Sequence, residues 1–241
     1  MTWHEQHRTI QDQFLRFIGG DSGLVLKGGT ALMKCYGLDR FSEDLDFDAM
    51  WTGVSTIRRV QKFCATYGYE ISIRKDSPFV QRVMVHYGNP SHPLKIETSS
   101  RDIPIDNNLV TIINDIQVYT LDWLAVLKAN AFLSRDTIRD LYDVSFLVHH
   151  YYEDLSLIPR QQLRAAFAVK GLEQFDVVLA TNDDELIDSD KLIESCLLAH
   201  EKLGITTSDE EKNLSAHIQL WHELNEGKHQ VSPKHSPRHS R

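Results

Sequence analysis

Leu24-Val25-Leu26-Lys27-Gly28-Gly29-Thr30-Ala31-Leu32-Met33-Lys34-Cys35-Tyr36-Gly37, followed by Ser42-Glu43-Asp44-Leu45-Asp46-Phe47-Asp48, is the stretch from which the rest of this chain is read. Leu24 to Leu26 has the apolar character of a short buried strand, Gly28-Gly29-Thr30 interrupts it, and Ala31 to Tyr36 resumes as a helix that Gly37 can end in the left-handed conformation. A strand that breaks at paired glycines and feeds a helix lets backbone N–H groups approach and surround an anion, for which phosphate is the natural ligand. Thr30, at the helix start, either offers its hydroxyl to a phosphate oxygen or caps the helix. After the polar loop from Asp39 to Glu43, the run Asp44-Leu45-Asp46-Phe47-Asp48 alternates acidic and apolar with period two. That is the pattern of a half-buried strand with its carboxylates on one face.

Two carboxylates side by side repel, and proteins tolerate such a pair by placing a cation between them. Asp44 and Asp46 are therefore candidate metal ligands, and Mg²⁺ is the expected ion, with Mn²⁺ as the alternative. Mg²⁺ binds through one or two carboxylates and completes its shell with water and substrate phosphates. Such a site serves an in-line displacement at phosphorus. The rival reading is a solvated strand edge. Transfer with two metals calls for a third carboxylate, and Glu97 in Lys95-Ile96-Glu97-Thr98-Ser99 is the candidate. It would ligate metal or take a proton from an attacking hydroxyl if its strand lies beside that of Asp46. Otherwise it is one half of a cross-strand ion pair.

Outward from this centre, Ile10, Phe14 and Ile18 mark a helix face that Gly19-Gly20 ends. Val54 to Tyr67 reads as a helix closed by Gly68, with Val54, Ile57, Val60 and Cys64 inward. Strands are expected at Tyr69 to Arg74, Val80 to His86 and Leu94 to Ser99, separated by Asp76-Ser77-Pro78 and Gly88-Asn89-Pro90. A short extended piece at Ile116 to Tyr119 then leads into a helical half with no further strand pattern of comparable strength. The expected helices are 121–133, 137–149, 160–170, 172–180, 190–203 and 210–226, the last opened by the capping box of Ser208 and Glu211. The predicted fold class is α/β (α+β), a mixed sheet core flanked by helices and followed by a helical C-terminal portion. The predicted division is 1–120 for the core, 121–226 for the helical portion and 227–241 for a disordered basic tail.

The chain has 241 residues, 41% hydrophobic and 25% charged, which places it among folded globular proteins. Cys35, Cys64 and Cys196 are widely spaced, show no C-x-x-C pairing and imply neither a disulfide framework nor a zinc knuckle. His149-His150, His217 and His222 lack the i, i+4 spacing of a helical zinc site. With no basic, apolar leader at the N-terminus and no apolar run of membrane-spanning length, a cytoplasmic location and no membrane partner are expected. The net charge of −8 argues against a polyanionic partner, but the average conceals a division. Arg58, Arg59, Lys62, Arg74, Lys75, Arg82, Lys95 and Arg101 make the stretch from Val54 to Arg101 positive, and from Glu173 to Glu211 the sign reverses, with Asp183, Asp184, Glu185, Asp188 and Asp190 among the acidic residues. These are either two solvated surfaces or a nucleic-acid path and a partner surface.

The run Lys27-Gly28-Gly29-Thr30-Ala31-Leu32 through Tyr36-Gly37-Leu38, then Arg40-Phe41-Ser42-Glu43-Asp44-Leu45-Asp46-Phe47, closely resembles the abortive-infection nucleotidyltransferase toxins of the AbiEii/AbiGii kind. These belong to the DNA polymerase β-like nucleotidyltransferase superfamily, whose pattern is a Gly-Gly-Ser/Thr turn followed by Asp-x-Asp. In the helical half, the family's lysine and Arg-Asp-x-x-Asp element are matched by Lys128 and Arg139-Asp140-Leu141-Tyr142-Asp143. The resemblance implies a nucleotide site formed by Gly28, Gly29, Thr30, Arg40, Ser42 and Lys128, with Asp44 and Asp46 holding metal, to which the strand reading adds Glu97. It implies catalytic roles for Asp44, Asp46, Lys128 and Asp143, Lys128 meeting phosphates and Asp143, with Asp140, orienting it or the substrate. A salt bridge for Arg40, a turn hydroxyl for Ser42 and exposed helix charges for Lys128 and Asp143 are the plainer readings.

The implied activity is Mg²⁺-dependent transfer of NMP from an NTP to an RNA acceptor, the tRNA 3′ end by resemblance, in the toxin of a toxin–antitoxin pair with a cognate antitoxin protein. Two alternatives stay open: transfer of NMP to a protein side chain, and a non-catalytic NTP-binding module. The similarity extends to about His149, and beyond Tyr151 the sequence gives generic helices.

Overall fold

A computed structural model describes residues 2–100, 104–135, 137–181 and 184–205. The helix expected over 210–226, the tail 227–241, and Arg101, Asp136 and Asp183 lie outside the described residues. The first helix, α1 (Trp3–Ile18), opens with a reciprocal cap: the Thr2 hydroxyl accepts from the Glu5 N–H, and the Glu5 carboxylate accepts from the Thr2 N–H. It is followed by β1 (Leu24–Lys27), α2 (Gly28–Cys35), β2 (Leu45–Ala49), α3 (Thr56–Tyr67), β3 (Glu70–Asp76), β4 (Val80–His86) and β5 (Leu94–Ser99). Next come β6 (Val110–Ile113) and β7 (Ile116–Tyr119), then α4 (Leu121–Ser134), α5 (Ile138–Tyr151), α6 (Leu157–Thr181) and α7 (Ser189–Leu203).

The strands form one mixed sheet of order β3-β4-β5-β2-β1-β7-β6. β2 runs antiparallel to β1 and parallel to β5, and β1 runs parallel to β7. One sheet face carries Phe47, Val83, Val85, Leu94 and Ile96, all fully buried. α1 and α3 cover that face, with Phe14 set between Phe47 and Phe63 at ring separations of 6.3 and 5.2 Å. Gln81 and Thr98 belong to the same side: the Gln81 side-chain Oε1 accepts from the Thr56 N–H at 2.9 Å, and the Thr98 hydroxyl meets that of Thr56 at 2.6 Å. The opposite face carries Asp46, Lys95, Glu97, Arg82 and Met84, as the alternation along β2, β4 and β5 dictates.

Two expectations change. Val110–Ile113 forms a strand paired with β7, and both turn residues, Asn114 (φ 51°) and Asp115 (φ 62°), take left-handed backbone. That is a type I′ hairpin, for which the β-branched run and the Asn-Asp dipeptide were the available signal. Further on, 160–170 and 172–180 are one continuous α6. Pro159 sits in its first turn, where no helical hydrogen bond is lost, and Gly171 in mid-helix costs about 1 kcal/mol relative to alanine without ending the helix. α5 packs against α4 and α7, and α6 against α4, in a hydrophobic core continuous with that of the sheet. Burial pushes the free thiols of Cys35 and Cys64 up to about 11, as befits small core residues rather than nucleophiles.

Candidate active site

Strand register brings the predicted carboxylates together. Asp46 lies opposite Lys27 on β1 and opposite Glu97 on β5, so the glycine turn, Asp46 and Glu97 share one row of the sheet. Gly28, at φ 77°, holds the turn in a conformation that a residue with a Cβ rarely adopts, and a Cβ there would stand 3.8 Å from an Asp46 carboxylate oxygen. The glycine turn and the acidic strand are thus immediate neighbours. Burial pushes the Asp46 carboxyl above the usual range; Lys95 pulls it back, and Asp44 and Glu97 push it further. Mutual repulsion of three oxygen donors is what a hard divalent cation would relieve.

The outer two carboxylates have protein partners. Lys95 Nζ lies 2.5 Å from Asp44, and the Arg82 guanidinium pairs with Glu97 directly across β4 and β5. Among the described residues, no group of three or more His, Cys, Asp or Glu side chains is arranged to hold a metal ion. Two carboxylates are the number that Mg²⁺ commonly takes from a protein, and Asp44 and Asp46 could supply them; Glu97 is held by Arg82. Asp48, the next residue on this face, is fully engaged by Lys27 at 2.5 Å and by the Tyr119 hydroxyl at 2.8 Å.

The loop that delivers Asp44 is clamped from two helices. The Gln11 amide donates to the carbonyls of Ser42 and Glu43, both at 2.8 Å, and His7 Nε2 donates to the Glu43 carbonyl at 2.7 Å. The Thr30 hydroxyl donates to the Asp44 carbonyl at 2.5 Å and shares a 2.8 Å hydrogen bond with the Ser42 hydroxyl. Thr30 and Ser42 therefore tether the loop to α2, and the α2 N-cap position belongs to Lys27, whose side chain makes no capping bond. Sequence reasoning missed His7 and Gln11, although buried polar residues at i, i+4 on an amphipathic helix are a recognisable signal.

His7 is 2% exposed, its Nδ1 accepting from the Tyr87 hydroxyl at 2.6 Å, and burial holds its pKa below the ordinary 6.5. As pH falls through 6.5 the unfolded chain takes up a proton that the folded chain refuses, so folding stability declines in that direction. In chemical denaturation over a pH series, His7→Gln is expected to flatten this slope by up to one proton, while an unchanged slope would assign it to other groups.

The helical half closes over the same loop. Asp143, fully buried on α5, accepts a bidentate pair from Arg40 Nε and Nη2 at 2.7 and 2.8 Å and receives Lys128 Nζ from α4 at 2.5 Å. Lys128 also reaches Asp140 at 3.5 Å, and Arg139 bonds Glu43 at 3.1 Å and Asp184 at 2.5 Å. Burial acts to raise the Asp140 carboxyl, but Arg135, Lys128 and Thr137 outweigh it and hold Asp140 below the usual range. Gly29 admits Arg40 to this network, since a Cβ at Gly29 would lie 2.5 Å from Arg40 Nη2 and 3.0 Å from Ser42 Oγ. Gly29→Ala is accordingly expected to displace Arg40 and lower stability by about 1–3 kcal/mol in denaturant titration.

The site therefore consists of a strand, glycine turn and helix facing an acidic strand, with a lysine–aspartate pair from the helical half beside them. The family described as "Nucleotidyl transferase AbiEii toxin, Type IV TA system" matches residues 13–195. The chain is a member of the AbiEii nucleotidyltransferase toxin family. Two Helicobacter pylori crystal structures are similar at 27% identity: JHP933, with TM-score 0.67 over 92% of this chain and 99% of that one, and a protein provisionally described as a nucleotidyltransferase, with TM-score 0.68 over 88% and 98%. No curated protein sequence matches the chain. As an AbiEii member it is a nucleotidyltransferase of the toxin class, and its mixed sheet and helices share the fold of the two Helicobacter pylori structures. Among its described residues, no helix is long and apolar enough to cross a membrane.

Proposed function

We propose that this AbiEii member transfers NMP from an NTP to an RNA acceptor in the cytoplasm, with the tRNA 3′ end as the acceptor and Mg²⁺, or Mn²⁺ in its place, as the ion. The observation that carries the reading is the single row formed by the Gly28-Gly29 turn, Asp46 and Glu97, closed by Lys128 and Asp143. Asp44 and Asp46, with Glu97 on release of Arg82, would hold the metal. The ion supplies charge neutralisation at the phosphates and alignment of the acceptor hydroxyl.

The protein's own groups divide the remaining work. The N–H groups of Gly28 and Gly29 face the triphosphate at the start of α2, where the helix dipole favours anions. Lys128 meets the phosphates from the α4 side; its ammonium has three donors, of which Asp143 and Asp140 take two. Arg40, tied to Asp143, fixes the loop of Ser42 and Asp44 against α5 and so sets the separation of the two halves. Residues 1–120 then act as the nucleotidyltransferase core and 121–226 as the helical portion completing its site. A cognate antitoxin is the natural protein partner for a chain of this family, and the acidic groups near Asp184 and Asp190 are a suitable surface for it.

The test is incubation of the purified protein with each α-labelled NTP, Mg²⁺ and either total tRNA or total protein. Label is expected in tRNA and absent after metal chelation. Label confined to polypeptide would replace the RNA acceptor with a protein side chain.

A further inference from the structure

The basic run from Val54 to Arg101 is split by the fold. Arg58 and Lys62 are exposed on α3, which covers the buried side of the sheet. Lys95, Arg82 and Lys75 stand on the other side, the one that carries Asp46. They are also in register: Asp46 lies opposite Glu97, Glu97 opposite Arg82, and Arg82 opposite Lys75, with Lys95 beside Asp44. At about 4.8 Å between strands, this row runs roughly 14 Å from the catalytic carboxylate to the sheet edge. The register shift between Ile73 and Lys75 adds exposed Arg74 at its end.

We propose that this open face of β5, β4 and β3 is the track along which the sugar–phosphate backbone of the acceptor RNA reaches the site, with Lys95, Arg82 and Lys75 as its cations. The proposal rests on the RNA-acceptor reading given above. A polyanion brought to a cluster of carboxylates is repelled unless cations stand beside them. Arg82 and Lys95 provide that compensation at Glu97 and Asp44, and Lys75 and Arg74 extend it outward. The acidic residues sharing this face along β3 to β5 are Glu70 and Glu97, the latter already paired with Arg82. Arg58 and Lys62, although in the same basic stretch, face away from the site and take no part.

The experiment compares two full-length double variants of equal charge change: Arg74→Glu with Lys75→Glu on the track, and Arg58→Glu with Lys62→Glu on α3. All four positions are exposed, and none belongs to the metal or nucleotide site. Binding of a fluorescent single-stranded RNA is read by anisotropy over a salt series, NTP binding by calorimetry, and transfer by label. The track variant is expected to weaken RNA binding about tenfold and to flatten the slope of log K against log salt by about 1.4, the value for two lost phosphate contacts. Its NTP affinity stays at the wild-type value, and the α3 variant binds RNA within about twofold of wild type.

Equal weakening by both variants, or by neither, overturns the track, as does a wild-type protein that binds no RNA. A wild type that binds RNA through the track but labels only polypeptide supports the track while overturning the RNA-transfer reading. Normal RNA labelling and binding by the track variant does the reverse.

Discussion

Asp46→Asn is expected to abolish nucleotidyl transfer, lowering kcat/KM by at least about 10²–10³-fold, while leaving the protein as stable as wild type or more so. The activity loss follows from removing the carboxylate that lies opposite Lys27, next to the glycine turn, and opposite Glu97, where the neighbouring Asp44 and Glu97 are engaged by Lys95 and Arg82. The stability expectation follows from sign. Burial raises the Asp46 carboxyl, so its contribution to folding is present in acid and is lost as pH rises through its folded value. Above that folded value the ionised group is a burden on the fold, and a neutral amide of the same shape removes the repulsion from Asp44 and Glu97. Labelled-NTP transfer and thermal unfolding, measured on one preparation, check both halves. A catalytically competent Asp46→Asn protein would exclude Asp46 from the chemistry. A poorly folded one would mean that Asp46 is structural.

Asp143→Ala is expected to have the largest effect on stability, about 3–5 kcal/mol in denaturant titration. Its carboxylate is fully buried between two cations, Arg40 and Lys128, and truncation leaves both without their principal counter-ion. Asp140 remains for Lys128 at 3.5 Å, whereas the described partners of Arg40 reduce to the Phe41 carbonyl at 3.1 Å. The greater share of the loss should therefore come through Arg40. A double-mutant cycle between Asp143→Ala and Arg40→Met measures this directly, and a coupling energy near zero would mean that the two residues act independently. Arg40 also carries the loop that precedes Asp44, so the same variant is expected to weaken NTP binding. Unaltered NTP affinity would separate the network's structural role from the site.

Much of the fold is legible without coordinates because its signals are local. The alternation of Leu94 to Ser99 places Ile96 inward and Glu97 outward whatever lies beside them, and Gly68, at φ 74°, ends α3 through a conformation that glycine adopts without strain. β6 escaped because a short edge strand has few residues in which to show a period, and its register with β7 is set by the Asn114-Asp115 turn. α6 was divided at Gly171 because propensity measures a cost, not an outcome, and packing against α4 outweighs about 1 kcal/mol.

For the site, the sequence by itself determined the chemistry on offer: a glycine turn entering a helix, an acidic strand, and a lysine and an Arg-Asp-x-x-Asp element in the helical half. Only the tertiary structure decided who meets whom. It placed Glu97 opposite both Asp46 and Arg82, joined Arg40 to Asp143 and Lys128, gave Thr30 and Ser42 to the loop, and divided the basic stretch between two faces. The physical reason is that side-chain direction follows from a repeat of two or 3.6 residues, which the sequence carries locally. The pairing of faces follows from sheet order and helix docking, which arise from contacts between residues distant along the chain.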